Sequence, residues 1–327
     1  MSSSVVPTLG ATLAGCLAAV GMSAILGFQT FLYFQVFPSD ALPYKLLVGW
    51  IWVLDAAHTV MICTGVWDYT ILHFGEPDIH LHIFPVIPMT VVLTAIITLS
   101  VNIFYGWRIH KLSKSNWWLT GPIAFLSIAR VGLAFTTTTE MLILKTFPAF
   151  AAKFKILFTS GLIVSAITDV LVSGARYFYL RDMRQGYTVT HEAVDAVVVF
   201  TINDGLLTCG TVLAVIICWL TMSHNFVYLA IYFLIGKLYG NSVLATLNLR
   251  NWYRHRNISQ QPVSMVKRPM RVNGAQPSTS RPAAAPRRSD STDKMEVFVN
   301  HEVDYIGDFR REAEDSHSDR KSVQHLA

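Results

Sequence analysis

Seven long apolar stretches dominate the chain, at about residues 10–34, 45–67, 85–106, 117–140, 156–179, 194–218 and 224–247. Each approaches the ~20 residues that a helix needs to cross hydrocarbon. In lipid every backbone amide and carbonyl must find its partner within the protein, so only helices or closed barrels span it. These runs are too long and too continuously apolar for the short alternating strands of a barrel. The expected fold is all-α, a polytopic membrane protein with seven transmembrane helices in a receptor-like bundle. Composition agrees with that reading. Of 327 residues, 52% are hydrophobic and 14% charged, whereas a soluble protein carries roughly 25% charged residues.

Charge divides the chain in two. Residues 1–249 hold 12 Lys/Arg and 11 Asp/Glu, and the last 78 residues hold 14 and 10. Within that tail, 250–288 has nine basic and no acidic residues, while 289–327 has five basic and ten acidic. The net charge of +5 is thus not a folded basic face, and no nucleic-acid partner is expected. Three regions follow: a short N-terminus at 1–9, a transmembrane domain at 10–250 and a polar tail at 251–327. The tail is rich in Pro, Ser, Arg and Ala and is expected to be disordered, because it cannot bury enough apolar area to fold alone. Its basic half suits the anionic inner leaflet, which makes membrane lipids the first expected partner. Glu296 to Asn300 alternates like a strand that could join a cytosolic partner's sheet edge. Ser289, Ser291 and Thr292 lie beside Arg287 and Arg288 as candidate kinase targets.

Lys and Arg near helix ends set orientation. With the N-terminus outside, the inner connections and the start of the tail hold Lys45, Arg108, Lys111, Lys114, Arg181, Arg184, Arg250, Arg254 and Arg256. The outer connections hold only Lys145, Lys153 and Lys155. This bias places the N-terminus outside the cytosol and the C-terminus inside, in a multi-pass protein of the plasma membrane. The first ten residues carry no charged side chain, so no cleavable signal is expected and the first helix should direct insertion itself. The sequon Asn257-Ile-Ser259 falls in the tail and should stay unmodified.

Polar groups within the apolar stretches are the informative ones, since each charged residue at mid-helix costs something like 2.5–3.5 kcal/mol on insertion scales. Asp55, Arg130, Asp169, Asp204 and Lys237 lie near the middles of the second, fourth, fifth, sixth and seventh stretches, and His58 follows Asp55 by one turn. The third stretch carries Thr90, Thr94, Thr98 and Asn102, four apart and hence on one face. Asn241 follows Lys237 by one turn. The candidate intramembrane polar network is therefore Asp55, His58, Asn102, Arg130, Asp169, Asp204, Lys237 and Asn241. Arg130 is expected against Asp169, Asp204 or Asp55, with Lys237 against one of the remaining acids. Two readings stand: buried pairs that fix helix packing, or a polar cavity for a ligand, ion or proton.

Other chemistry has less to stand on. Cys16, Cys63, Cys209 and Cys218 all fall in apolar stretches without metal-ligand spacing and read as small buried packers. Asp55-x-x-His58 and His80-x-His82 have zinc-like spacing, but the second pair belongs to an outer loop and no third ligand accompanies them. Lys237 has no acid one turn earlier, where Phe233 stands instead, which argues against a Schiff-base chromophore. No phosphate-binding glycine loop or nucleophile elbow occurs. No catalytic residue, metal or cofactor is expected, and the chain is not read as an enzyme.

Several motifs carry a resemblance. They are Gln29-x-x-x-Tyr33-Phe, Leu54-Asp55-x-x-His58, Phe104-Tyr-x-Trp-Arg108, Thr201-Ile-Asn203-x-Gly205-Leu-Leu-Thr208 and Lys237-Leu-Tyr-x-Asn241-Ser-x-Leu-Ala-x-Leu-Asn248-x-Arg250. Over residues 10–250 they resemble a family of basidiomycete fungal seven-helix membrane proteins built on a domain of unknown function. The resemblance implies a seven-helix integral membrane fold and fungal origin, and it carries over no catalytic residues. The function expected is receptor-like signalling or membrane organisation, with an unknown ligand. The alternative is an ion- or proton-coupled transporter that uses the midplane charges. Transporters commonly contain inverted repeats; no repeat is visible between the two halves of this sequence.

Overall fold

A computed structural model describes residues 6–76, 78–113, 116–186, 191–222 and 225–259, with side chains omitted at some helix ends. The chain divides into two units at Ser264/Met265, and the first holds every described residue. Residues 251–259, expected to begin the disordered tail, are helical; the rest of that tail, with most of its leaflet-binding half, the strand-like run at Glu296 and the candidate phosphosites, lies outside the described residues.

The described chain is a helical bundle. A π-helical turn at Val6–Gly10 leads into α1 (Ala11–Val36), followed by α2 (Leu42–Trp67), α3 (Val86–Leu112) and α4 (Trp117–Leu144). Then come α5 (Phe147–Gly186), α6 (His191–Thr221) and α7 (Val227–Ser259). Among the described residues there is no strand, and the only extended pairing is one bridge between His82 and Thr146. Among the described residues, seven helices are long and apolar enough to cross a membrane, which suggests a multi-pass membrane protein.

Local chemistry explains the helix ends. Pro43 sits in the first turn of α2, where an amide would have no partner anyway. The side chain of Asn116 caps α4 by accepting the Trp118 amide at 3.0 Å. Lys145 closes α4 in the left-handed region at φ 55, and its carbonyl accepts the Ile83 amide at 2.8 Å. That bond ties the α2–α3 connection to the α4–α5 turn. His82 serves the same end of the bundle through its backbone, accepting the Tyr69 hydroxyl at 2.6 Å.

Two expected boundaries shift. The fourth stretch, placed at 117–140, continues as α4 to Leu144 through the run Thr136 to Thr139. Thr136 and Thr139 each return a hydroxyl proton to the carbonyl four residues back at 3.0 Å. That bond hides the hydroxyl from hydrocarbon. Thr138 instead reaches across to the Pro88 carbonyl at 3.2 Å. The fifth stretch, placed at 156–179, follows a short helical segment from Phe147 that joins it across a kink at the non-helical Phe154 (φ −121, ψ 21). Lys153 and Lys155 flank that kink, and long lysine stems near a membrane end reach water from either side of it. Past its apolar part, α7 runs on to Ser259.

Consecutive helices pack side by side, and α7 returns to α1, closing the ring. Two helices lean inward. The most apolar window of α7 is 78% buried and that of α3 56%, against 17% for α4, so α7 is the axis and α4 faces outward. The α1–α7 seam is built on small residues. Gly15 lies so close to Ala230 that a Cβ would stand 2.6 Å from its Cα, and Gly240 packs on Leu26 in the same way. Such close approach is how helices associate where lipid is as apolar as leucine. Asn241 donates to the Met22 carbonyl at 3.1 Å and Asn248 to the Gln29 carbonyl at 2.9 Å.

The α1–α2 seam offers a direct check. Cys16 is buried while Cys63 is exposed on the bundle surface, so the latter is not the buried packer expected. Their sulfurs are 3.8 Å apart, and a disulfide needs about 2.05 Å between them. Mild oxidation with copper–phenanthroline should therefore link Cys16 to Cys63, seen by mass spectrometry as one disulfide-joined peptide pair. Alkylation of both thiols after oxidation would contradict this packing.

Candidate functional site

The polar residues of the interior gather around α7 in three clusters, built on the buried Asp55 and Asp169 and the half-buried Asp204. Hydrocarbon gives an ion no solvent, so each charge must be met inside the protein.

The first cluster joins α1, α2 and α7. Lys237 Nζ pairs with Asp55 Oδ1 at 2.9 Å and donates to the Asp55 carbonyl at 2.8 Å and to Thr59 Oγ1 at 2.5 Å. Ser23 of α1 donates to the other carboxylate oxygen of Asp55, and Thr59 lies 3.0 Å from Ser23 Oγ. Both charged residues are fully enclosed. Asn241 donates to the Lys237 carbonyl at 2.8 Å, extending the cluster one turn along α7.

The second cluster joins α4, α5 and α7. Arg130 Nη1 donates to the Tyr239 hydroxyl at 3.3 Å, and its guanidinium lies 5.3 Å from that ring's centroid. Tyr239 in turn donates to Asp169 Oδ1, with Ser165 Oγ 3.5 Å from the phenol oxygen. Arg130 thus does not rest against an acid as expected. Its link to Asp169 passes through a tyrosine, because Tyr239 of the axial helix lies between α4 and α5.

The third cluster joins α3, α5, α6 and α7. Asp204 pairs with Arg176 at 3.5 Å and accepts from Ser242. Tyr105 of α3 lies 2.6 Å from Ser242 Oγ and 3.3 Å from Thr246 Oγ1, and the Arg176 guanidinium stacks over its ring at 3.9 Å. Asp204 was expected to await Arg130 or Lys237; its partner is a different base, two turns beyond Asp169 on α5.

The remaining candidates bind elsewhere. The hydrogen bond of His58 goes to the neighbouring helix and not to Asp55: its Nε2 lies 3.1 Å from Thr94 Oγ1, joining α2 to α3. Asn102 donates to Ser127 at 3.1 Å, joining α3 to α4. The threonine face of α3 does turn inward, with Thr90, Thr94 and Thr98 all enclosed. The eight candidates therefore lie in separate helix-to-helix links and not in one network. Sequence reasoning missed Arg176, Tyr239, Tyr105 and Ser242. Tyr239 and Ser242 stand inside the quoted α7 motif and Tyr105 inside the α3 motif, so the signal was present there. Arg176 lies near the end of its apolar stretch, where a base ordinarily reaches water.

Among the described residues, no group of three or more His, Cys, Asp or Glu side chains could hold a metal. Two cavities between the described helices are small, at about 20 and 30 Å³, room for a few waters at most. The first lies within an aromatic cap that includes Phe150, Phe158, Trp219 and Tyr228. The second borders Arg130 between α4 and α5.

A family of unknown function, DUF6534, matches residues 165–252. That span contains Asp169, Arg176, Asp204, Lys237, Tyr239 and Ser242, which are the α5–α7 parts of all three clusters. No curated protein and no solved structure matches the chain.

Proposed function

We propose that the protein is a receptor-like signalling protein, in which rearrangement of the axial helix α7 carries a signal to the tail. The observation that supports this reading is that all three acid clusters meet on one helix within Lys237–Ser242, on different sides of it. A change at any one of them is felt by the segment that leads into the C-terminal region. The carboxylate contacts of Lys237 and Arg176 and the small volumes of the two cavities described favour a conformational element over an ion path, which would need a continuous hydrated route. On this proposal the protein belongs to the fungal seven-helix family that its motifs resemble. It is not an enzyme, and it sits in the plasma membrane with its N-terminus outside. Its basic tail meets the inner leaflet and a cytosolic partner.

The test joins two readouts on the full chain. In proteoliposomes carrying a pH-sensitive dye, an imposed proton gradient should decay at the protein-free rate. In cells, a proximity-labelling enzyme fused at Ala327 should mark cytosolic signalling proteins that a truncation after Arg256 fails to mark. Proton flux above the protein-free rate would favour coupled transport and overturn the proposal. So would removal of an Ala327 epitope by protease on sealed, right-side-out vesicles.

A further inference from the structure

Arg130 differs from the other two interior bases. Lys237 and Arg176 each reach a carboxylate. Arg130, of the described residues, reaches only a phenol oxygen whose proton is committed to Asp169. A guanidinium carries five N–H donors in a planar fork, so most of its capacity is unused. The side chain is 8% exposed, and it forms part of the wall of the α4–α5 cavity. On the same wall stands Thr137, 3% exposed, whose hydroxyl bonds to no described residue. Two enclosed polar side chains with spare donors thus face one small space.

The space opens sideways. Leu133, Ala134 and Gly161 along its edge are half-buried, and they belong to the α4–α5 seam on the outward side of the bundle. A Cβ on Gly161 would meet only Leu133 Cβ, at 3.8 Å, so the absent side chain leaves a mouth and is not demanded by packing. Beyond that mouth lies hydrocarbon, for α4 is the least enclosed of the seven helices.

We propose that this crevice binds the carboxyl group of a lipophilic monocarboxylic acid that enters from the bilayer, with Arg130 as its anchor and Thr137 as a second donor. Three arguments select this class. Guanidinium and carboxylate match as parallel bidentate forks. Arg130 is the fourteenth of 28 residues in α4, about 20 Å from either end at 1.5 Å per residue. A phospholipid headgroup held at the interface does not reach that depth, whereas a single-headed acid crosses in its neutral form. The cavity admits a carboxyl group and little more, leaving the chain in the seam.

Charge also balances. Asp169 already offsets Arg130, so an added anion would leave an uncompensated charge in lipid. The acid RCO2H gives its proton to Ser165 Oγ, which lines the cavity and passes its own proton to Tyr239 Oη, 3.5 Å away. Tyr239 passes its proton to Asp169 Oδ1 along the existing hydrogen bond. The products are RCO2⁻ on Arg130, neutral Ser165 and Tyr239, and a neutral Asp169 carboxyl. No net charge enters the membrane interior.

The proposal gives the receptor-like reading a ligand class, and its test needs neither flux nor tail labelling, so the two fail separately. The full-length protein in nanodiscs is titrated with tritiated palmitic acid, with methyl palmitate and sodium acetate as competitors. Saturable binding is expected, with methyl palmitate at least tenfold weaker and millimolar acetate without effect. Arg130→Gln should weaken binding at least tenfold. Gly161→Leu, which fills the mouth without touching a charge, should do the same with a melting temperature near that of the parent. Equal competition by acid and ester, or unchanged binding in Gly161→Leu, would overturn the proposal. Full competition by acetate would assign the crevice to a small free carboxylate and overturn the bilayer route.

Discussion

Lys237→Met removes the only base that reaches Asp55 among the described residues, and the expected result is collapse of the folded yield. The substitution keeps length and apolar bulk, so packing changes little. What remains is a carboxylate enclosed between α1, α2 and α7 with a serine as its chief donor. Breaking a buried pair from one side costs about 3–5 kcal/mol, a large share of the ~5–15 kcal/mol that holds a domain folded. The monodisperse fraction on fluorescence-detected size exclusion should fall several-fold, with a clear drop in melting temperature. Adding Asp55→Asn should recover part of the loss, since an amide in place of the carboxylate leaves no buried charge. Yield unchanged in Lys237→Met would mean that the pair contributes nothing to the fold.

Trp219→Ala is expected to have the second-largest effect, at the end of the bundle where the chain begins. The Trp219 ring lies 4.8 Å from that of Tyr228, 5.0 Å from Phe158 and 6.2 Å from Phe150, centroid to centroid. It is 1% exposed and joins α5, α6 and α7. Removing a buried aromatic costs about 3–5 kcal/mol, and here it also enlarges a cavity that already exists beside it. The control is Trp118→Ala, 93% exposed on α4, where an exposed substitution should stay within about 0.5 kcal/mol. Comparable melting temperatures for the two variants would contradict the packing described.

How much of this was legible in the sequence depends on the kind of signal. The seven helices follow from length and hydropathy, because lipid leaves the backbone no other open-ended choice. The depth of Asp55, Arg130, Asp169, Asp204 and Lys237 was legible by counting along each stretch. Their partners were not, since pairing depends on which helix stands at the centre. Burial of α7 on nearly all sides puts Lys237, Tyr239 and Ser242 toward different neighbours, and nothing in the local pattern announces that. Arg176 illustrates the same limit: position along a stretch marks it as interfacial, while rotation about the α5 axis turns it inward to Asp204. The outward-facing Cys63 was misread for the converse reason, as apolar surroundings in a membrane protein mean either core or lipid.

The order of synthesis gives the axial position of α7 a further consequence. Asp55 emerges from the ribosome 182 residues before Lys237, a wait of about 10–40 s at 5–20 residues per second. Asp169 likewise precedes Tyr239. Only Asp204 meets its base, Arg176, among helices already made. Until the last helix arrives, the first six form an open arc that holds two acids without their native partners. The nascent protein must therefore keep those carboxyls protonated, hydrated or shielded by the insertion machinery. A chain stopped before Val227 should be retained by quality control as an unfinished ring, even though six of its seven spans are complete.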